Sequence, residues 1–142
     1  MKTMYLCGPI AGCDDNEAHD WRDWVINETT SWAKCLDPMR RDYRGAGHAD
    51  KDDKMPDWVV KEIVELDKRD IAASDILLAN LLPPKKAVGT NMEIIYAWTI
   101  GKLVVLVVPP YQPVSPWHRY HSHKITHTLD DALDYIQYGH WQ

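Results

Sequence analysis

Two stretches of this chain, "DILLANLL" at 75–82 and "KLVVLVVPP" at 102–110, are almost unbroken apolar runs of strand length. A strand with one face in water alternates apolar and polar residues, so a run that is apolar throughout must be covered on both faces. Helical patterns flank these runs. From Pro56 to Ser74, Trp58, Val59, Ile63, Leu66 and Ile71 recur among charged neighbours, and "TNMEIIYAWTIG" follows the first run and ends at Gly101. Strands that alternate with helices and are buried on both faces build a parallel sheet with helices on either side. The expected fold is therefore α/β, a doubly wound, mostly parallel five-stranded sheet of the flavodoxin or Rossmann-like kind.

The remaining elements fit that plan. "TMYLCGPI" is a buried first strand closed by Gly8-Pro9, and "DDNEAHDWRDWVINETTSWAKC" is a helix with Trp21, Trp24, Val25 and Trp32 near helical spacing. "KCLDP" is a short second strand, and a long polar loop spans 38–55. After the apolar run at 102–110 comes a loop rich in histidine and aromatics, then an amphipathic helix from about Asp130 with Ala132, Leu133 and Ile136 inward. A length of 142 residues is that of one domain, 1–142, able to bury a core without disulfide or metal staples.

Composition narrows the function. Apolar residues are 45% and charged residues 26%, a soluble globular balance, and neither a membrane-length apolar run nor a signal-peptide pattern is present. The cytoplasm is the expected location. Cys7, Cys13 and Cys35 are odd in number without a CxxC pair, which fits a reducing compartment. A net charge of -5 disfavours a polymeric nucleic acid, whose counterions need clustered cations to displace them. One pocket for a single nucleotide needs only a few local donors.

In doubly wound sheets ligands bind beyond the carboxyl ends of the strands, where the strand order reverses. Gly8-Pro9, the 38–55 loop, the 81–89 loop and the helix start at Gly89, Thr90 and Asn91 should surround one crevice. Two carboxylates are candidates there. Glu93 has two readings from its neighbours: "T-N-M-E" forms a capping box in which Thr90 and Glu93 satisfy helix amides, or the helix dipole holds an ionised acid ready to attack. Asp67 lies one turn from both Ile63 and Ile71, on or beside the apolar face; it either serves the crevice or pairs with Lys68, Arg69 or Arg41. A pair of carboxylates is the minimum equipment for cleaving a glycosidic bond.

"KTMYLCGPI", "LDKRDIAASDILLANL" and "GTNMEIIYAWTIGKLVVLV", in that order and spacing, resemble the nucleoside 2-deoxyribosyltransferase family and its nucleoside 5'-monophosphate N-glycosidase relatives. The resemblance runs to about Val108. It implies that Glu93 is the nucleophile, that Asp67 handles the proton of the base, and that Tyr5 lies against the nucleophile, although a buried core aromatic is the plain alternative for Tyr5. It also implies small-molecule nucleoside or nucleotide substrates, a free nucleobase as partner, a homo-oligomer, and no metal or organic cofactor.

Two departures bear on the substrate. Many transferases of the family carry an acidic residue just before the glycine, for the sugar 5'-hydroxyl, where this chain has "KKAVG". Lys85 and Lys86, with Arg40, Arg41 and Arg44 of "PMRRDYRG", form either an anion site suited to a 5'-phosphate or ordinary solvated loops. The monophosphate hydrolases commonly have a serine before the glycine, and none lies between Leu81 and Gly89. His118, His121, His123 and His127 match no usual zinc spacing, so Trp117, His118 and Tyr120 are expected to stack on a base or touch a subunit. Ser115 before Pro116 would cap a short helix. A nucleotide sensor without turnover is the reading from another class, and the presence of both carboxylates speaks against it.

Overall fold

Apolar runs, helices and polar connections assemble in the computed structural model, which describes residues 1–40 and 55–139, into a five-stranded sheet. The elements in chain order are β1 (Lys2–Cys7), α1 (Asp15–Thr29), β2 (Ala33–Leu36), a 3-10 turn (Pro38–Arg40), α2 (Asp57–Ala73), β3 (Ile76–Asn80), α3 (Val88–Thr99), β4 (Leu103–Val107), α4 (Pro116–Tyr120), β5 (Lys124–Thr126) and α5 (Leu129–Tyr138). The strand order is β2-β1-β3-β4-β5 and every pairing is parallel, the flavodoxin-like arrangement. The sheet is thus wholly parallel, where the sequence pattern implied mostly so.

The period-two alternation of β1 divides its side chains between two cores. Met4 and Leu6 join Ile76, Leu78, Val105 and Val107 under Val25 of α1 and Ala132, Leu133 and Ile136 of α5. Tyr5 and Cys7 face the other way, joining Leu77, Ala79, Val104 and Leu106 under Ile71 of α2 and Ile94 and Ala97 of α3. All ten residues of β3 and β4 are buried, as two covered faces demand.

Four sequence expectations change. The fifth strand, β5, lies within the histidine-rich segment read as loop: only Ile125 of its three residues is apolar, and an edge strand so short carries no periodic signal. The capping box occurs at Asp14 and Glu17 of α1, where the side chain of each meets the other's backbone amide. α3 begins at Val88, two residues before Thr90, and has no side-chain cap, so Glu93 sits one turn inside the helix. On α1 the buried stripe is Ala18, Arg22, Val25 and Thr29, with Trp21 and Trp24 only partly buried at its edge. In α2, Trp58 is 69% exposed, and Asp70 and Ile71 are the helix's buried residues.

β1 ends in a crowded turn. A Cβ on Gly8 would lie 2.8 Å from the Trp21 ring and 3.2 Å from the Asn80 carbonyl oxygen. Neither the indole, wedged beside the sheet, nor the β3 backbone can yield without shifting the carboxyl end of β1. Gly8→Ala should cost about 1–3 kcal/mol, read as a lowered urea midpoint at unchanged slope.

Candidate active site

The strand order reverses between β1 and β3, and a cleft of 530 Å³ opens beside the segment that follows β1. Gly8, Pro9, Ile10 and Ala11 form one wall, Ile63, Val64, Asp67, Lys68 and Ile71 of α2 another, and Lys86 with Val88, Gly89, Thr90, Met92, Glu93 and Tyr96 the third. Ile63, Asp67 and Ile71 share one helical face, so the acid enters the cleft along an apolar stripe.

Glu93 stands at the meeting of α3 and β1. The Tyr5 hydroxyl donates to Glu93 Oε2, and the Cys7 thiol lies 3.7 Å from Glu93 Oε1 and 3.7 Å from the Thr90 carbonyl oxygen. Tyr5 and Cys7 project from the same face of β1, two residues apart, and both are fully buried. Glu93 as a residue is half-buried, but its carboxylate end lies against these two groups.

That enclosure controls ionisation. Burial first, and the nearby Asp67 second, raise the Glu93 carboxyl from 4.5 to about 7, opposed by the bond from Tyr5, the charge of Arg22 and the Cys7 thiol. Burial and Asp67 thus act against the ionisation that the sequence reading expected the helix dipole to favour. Burial and the charge of Glu93 push the Tyr5 hydroxyl well above its usual range, and the same two causes do so for the Cys7 thiol. Both remain protonated donors.

Several residues expected at the crevice lie elsewhere. Arg40 is paired with Asp70 at 2.9 Å, and Lys85 reaches Glu17 at 3.7 Å, so neither lines the cleft. Asn91 meets His118 at 2.8 Å and does not line the cleft, and Trp117 stacks on His121. Arg41 and Arg44 lie outside the described residues. The other tail histidines are spoken for within the fold: His123 Nδ1 accepts the Val104 amide, His127 Nδ1 lies 3.0 Å from the Val108 carbonyl, and His123 packs on Trp98. Ser115 caps α4, with Pro116 in its first turn, as its sequence suggests. Among the described residues the one cluster of metal-ligating side chains is His19, Asp23 and Asp37, apart from that tail.

The sequence reading missed Cys7 and Arg22. Cys7 was legible as an inward position two residues from Tyr5, and Arg22 as the residue between Ala18 and Val25 on one helical face. A flavodoxin-like sheet with two carboxylates, one of them hydrogen-bonded to a buried tyrosine, at its switch point has the layout of a glycosyl-transferring enzyme. The sequence profile of nucleoside 2-deoxyribosyltransferases matches residues 4–132, and the chain belongs to that family, whose members are enzymes of the pentosyl-transfer or N-glycosidase type.

Solved structures agree on the fold. A 2-deoxyribosyltransferase from Bacillus psychrosaccharolyticus is similar at a TM-score of 0.72 and 15% identity, over 91% of this chain and 88% of that one. The CMP N-glycosidase BcmB from Clostridium botulinum is similar at 0.57 and 15%, over 96% and 99%. A conserved protein from Enterococcus faecalis V583 is similar at 0.66 and 20%, over 96% and 98%. Comparison with curated protein sequences gives no match. Among the described residues no helix is long and apolar enough to cross a membrane.

The raised Glu93 carboxyl has a stability consequence with a definite sign. The folded state keeps this proton up to about pH 7, while the unfolded chain releases it near 4.5. Glu93 therefore costs stability as pH rises through that window, and the cost persists above it. In Glu93→Gln, stability relative to the native chain should rise between pH 4.5 and 7, by on the order of 3 kcal/mol at most, since solvent in the cleft screens part of it. Urea denaturation at the two pH values measures this.

Proposed function

We propose that the protein cleaves the N-glycosidic bond of a 2'-deoxynucleoside through a covalent glycosyl-Glu93 intermediate and passes the deoxyribosyl group to another base. The observation that carries this reading is the Tyr5–Glu93–Asp67 grouping: a carboxylate oriented by a buried hydroxyl, with a second carboxylate in the same cleft. Ionised Glu93 attacks the anomeric carbon as the bond to the base breaks, which stabilises the oxocarbenium-like transition state and then forms the ester. Asp67 gives a proton to the departing base and takes one from the incoming base. Attack on the opposite face frees Glu93 with overall retention.

The two acids interact, so their protons belong to the pair. Attack needs Glu93 ionised, and Asp67, whose charge repels the Glu93 carboxylate in the free enzyme, takes up the proton it hands to the base only once the nucleoside is bound; a Glu93 carboxyl raised to about 7 is a stronger nucleophile than an ordinary glutamate once it has lost its proton.

A second reading, hydrolysis of a nucleoside 5'-monophosphate through the same intermediate, is favoured by one feature. Lys86 lines the cleft next to Gly89, at which a Cβ would meet nothing, so the first turn of α3 is open to a ligand. A cation beside open helix amides suits a phosphate better than a hydroxyl. The remaining assignments of this reading are a location in the cytoplasm, one domain over 1–142, and a homo-oligomer. Val88 and Met92, each 67% exposed, and Val64 both line the cleft and open to solvent, as walls finished by a neighbouring copy would. Light scattering on the purified protein reports the subunit count.

Incubation with deoxynucleosides and with their monophosphates, with and without a second free base, separates the readings. A swapped base means transfer; free base with sugar phosphate means hydrolysis. Glu93→Gln should lower kcat at least about 10²-fold and abolish the glycosyl-protein adduct seen by mass spectrometry. A variant turning over normally would remove Glu93 from the chemistry.

The pH profile supplies a further check. The acid limb of kcat/KM should lie near pH 7 and follow Glu93. Tyr5→Phe removes a hydrogen bond that holds this carboxyl down, so its limb should move to higher pH. Asp67→Asn removes a repelling charge, so its limb should move lower while kcat falls about 10²-fold or more.

A further inference from the structure

Arg22 is fully buried, the largest such side chain in the described structure, and the chemistry above does not use it. Its guanidinium Nη2 donates to the Gly8 carbonyl at 3.0 Å, Nε donates to the Leu6 carbonyl at 3.3 Å, and Nη1 donates to the Ala18 carbonyl of its own helix. Its carboxylate partner, Asp37, stands off at 3.7 Å, and the Trp21 ring lies against it at 4.6 Å. A buried charge is costly unless it is paired and hydrogen-bonded. Here all three hydrogen bonds go to neutral carbonyls, two of them at the end of β1, and the carboxylate contact is longer than any of them.

What it touches explains the arrangement. Leu6 and Gly8 bracket Cys7, whose thiol meets Glu93, and Gly8 is a cleft wall. Arg22 approaches this segment from the α1 side of the sheet while Tyr5, Cys7 and Glu93 lie on the α3 side. We propose that Arg22 is a positioning residue for the nucleophile, a buried cation that pins the Leu6–Gly8 backbone and lends Glu93 a positive charge from behind β1, with Asp37 setting how much of that charge is felt. This role rests on the nucleophile reading of Glu93.

Other charged groups bear on the same spot. Tyr5 and Cys7 face Glu93 from β1, Asp67 faces it from α2, and Lys68 and Lys86 line the same cleft. His19 and Asp23 of α1 come within 4.8 Å of Asp37 through their ligand atoms. Arg22 stays protonated throughout: burial draws its acidity toward neutrality and Asp37 opposes that, but a guanidinium starts far above the working range. Its attraction to Glu93 works in the direction proposed, lowering the carboxyl.

The test uses the full chain in three variants, Arg22→Met, Arg22→Lys and Asp37→Asn, each in a His19→Gln background so that no imidazole stands beside Asp37. Glutamate carboxyls are labelled with carbon-13 and followed by NMR against pH, the Glu93 signal being identified by its loss in Glu93→Gln; kcat/KM is measured over the same range. Removing the cation in Arg22→Met should move the Glu93 titration and the acid limb to higher pH, so that kcat/KM at pH 6 falls about threefold beyond any loss at pH 8. Removing the counter-charge in Asp37→Asn should move both to lower pH. Arg22→Lys keeps the charge but loses the fork, so the titration should stay near the native one while kcat drops.

Should Arg22→Met fail to fold, the other two decide. Glu93 titrations in folded Asp37→Asn and Arg22→Lys that superimpose on the parent, with acid limbs unmoved and kcat of Arg22→Lys unchanged, overturn the proposal for Arg22 alone. Glu93→Gln turning over at the native rate overturns instead the nucleophile reading beneath it.

Discussion

The hydrogen bond from Tyr5 to Glu93 joins a central strand to the helix that follows the neighbouring strand, and the cleft opens beside that junction. β1 is buried on both faces, so Tyr5 cannot turn its hydroxyl to water and must find an acceptor inside. α3 supplies one, one turn in from its start. A carboxylate is placed where neither solvent nor a full counter-charge stabilises it, and the fold thereby holds an acid near neutrality that an exposed glutamate could not be.

Polar groups on both sides of the sheet converge on the same short segment. Tyr5 and Cys7 project toward α3, and between them in the chain the Leu6 carbonyl faces Arg22. The Gly8 turn is pressed by Trp21 and by the β3 backbone. Strand alternation lets two residues serve the cleft while their neighbours and their carbonyls anchor the other core. The precision of the site is a property of β1 as a whole, supported by α1 from below and α3 from above.

Much of this was legible in the residues. Unbroken apolar runs at β3 and β4 reveal a sheet covered on both sides, and the Ile63–Asp67–Ile71 spacing brings an acid to the cleft along an apolar face. What escaped was what periodicity cannot carry. β5 is too short to show a pattern, Arg22 hides its inward position behind its charge, and no box forms at Thr90 and Glu93 because α3 starts earlier than its polar residues suggest. The cations of the loops were visible as charges, but their partners were not: Arg40 turns to Asp70 and Lys85 to Glu17, which leaves Lys86 at the cleft among the described loop cations.

The space around Gly89 has a further consequence. A methyl group there would touch nothing, although the residue borders the cleft and lies four positions from Glu93 on the same helix. The scaffold therefore separates the Glu93 carboxylate, which is enclosed by Tyr5 and Cys7 of β1, from the border of the cleft at Gly89, which is roomy. A small side chain added at that border changes the outline of the cleft without pressing on the strand that holds Glu93.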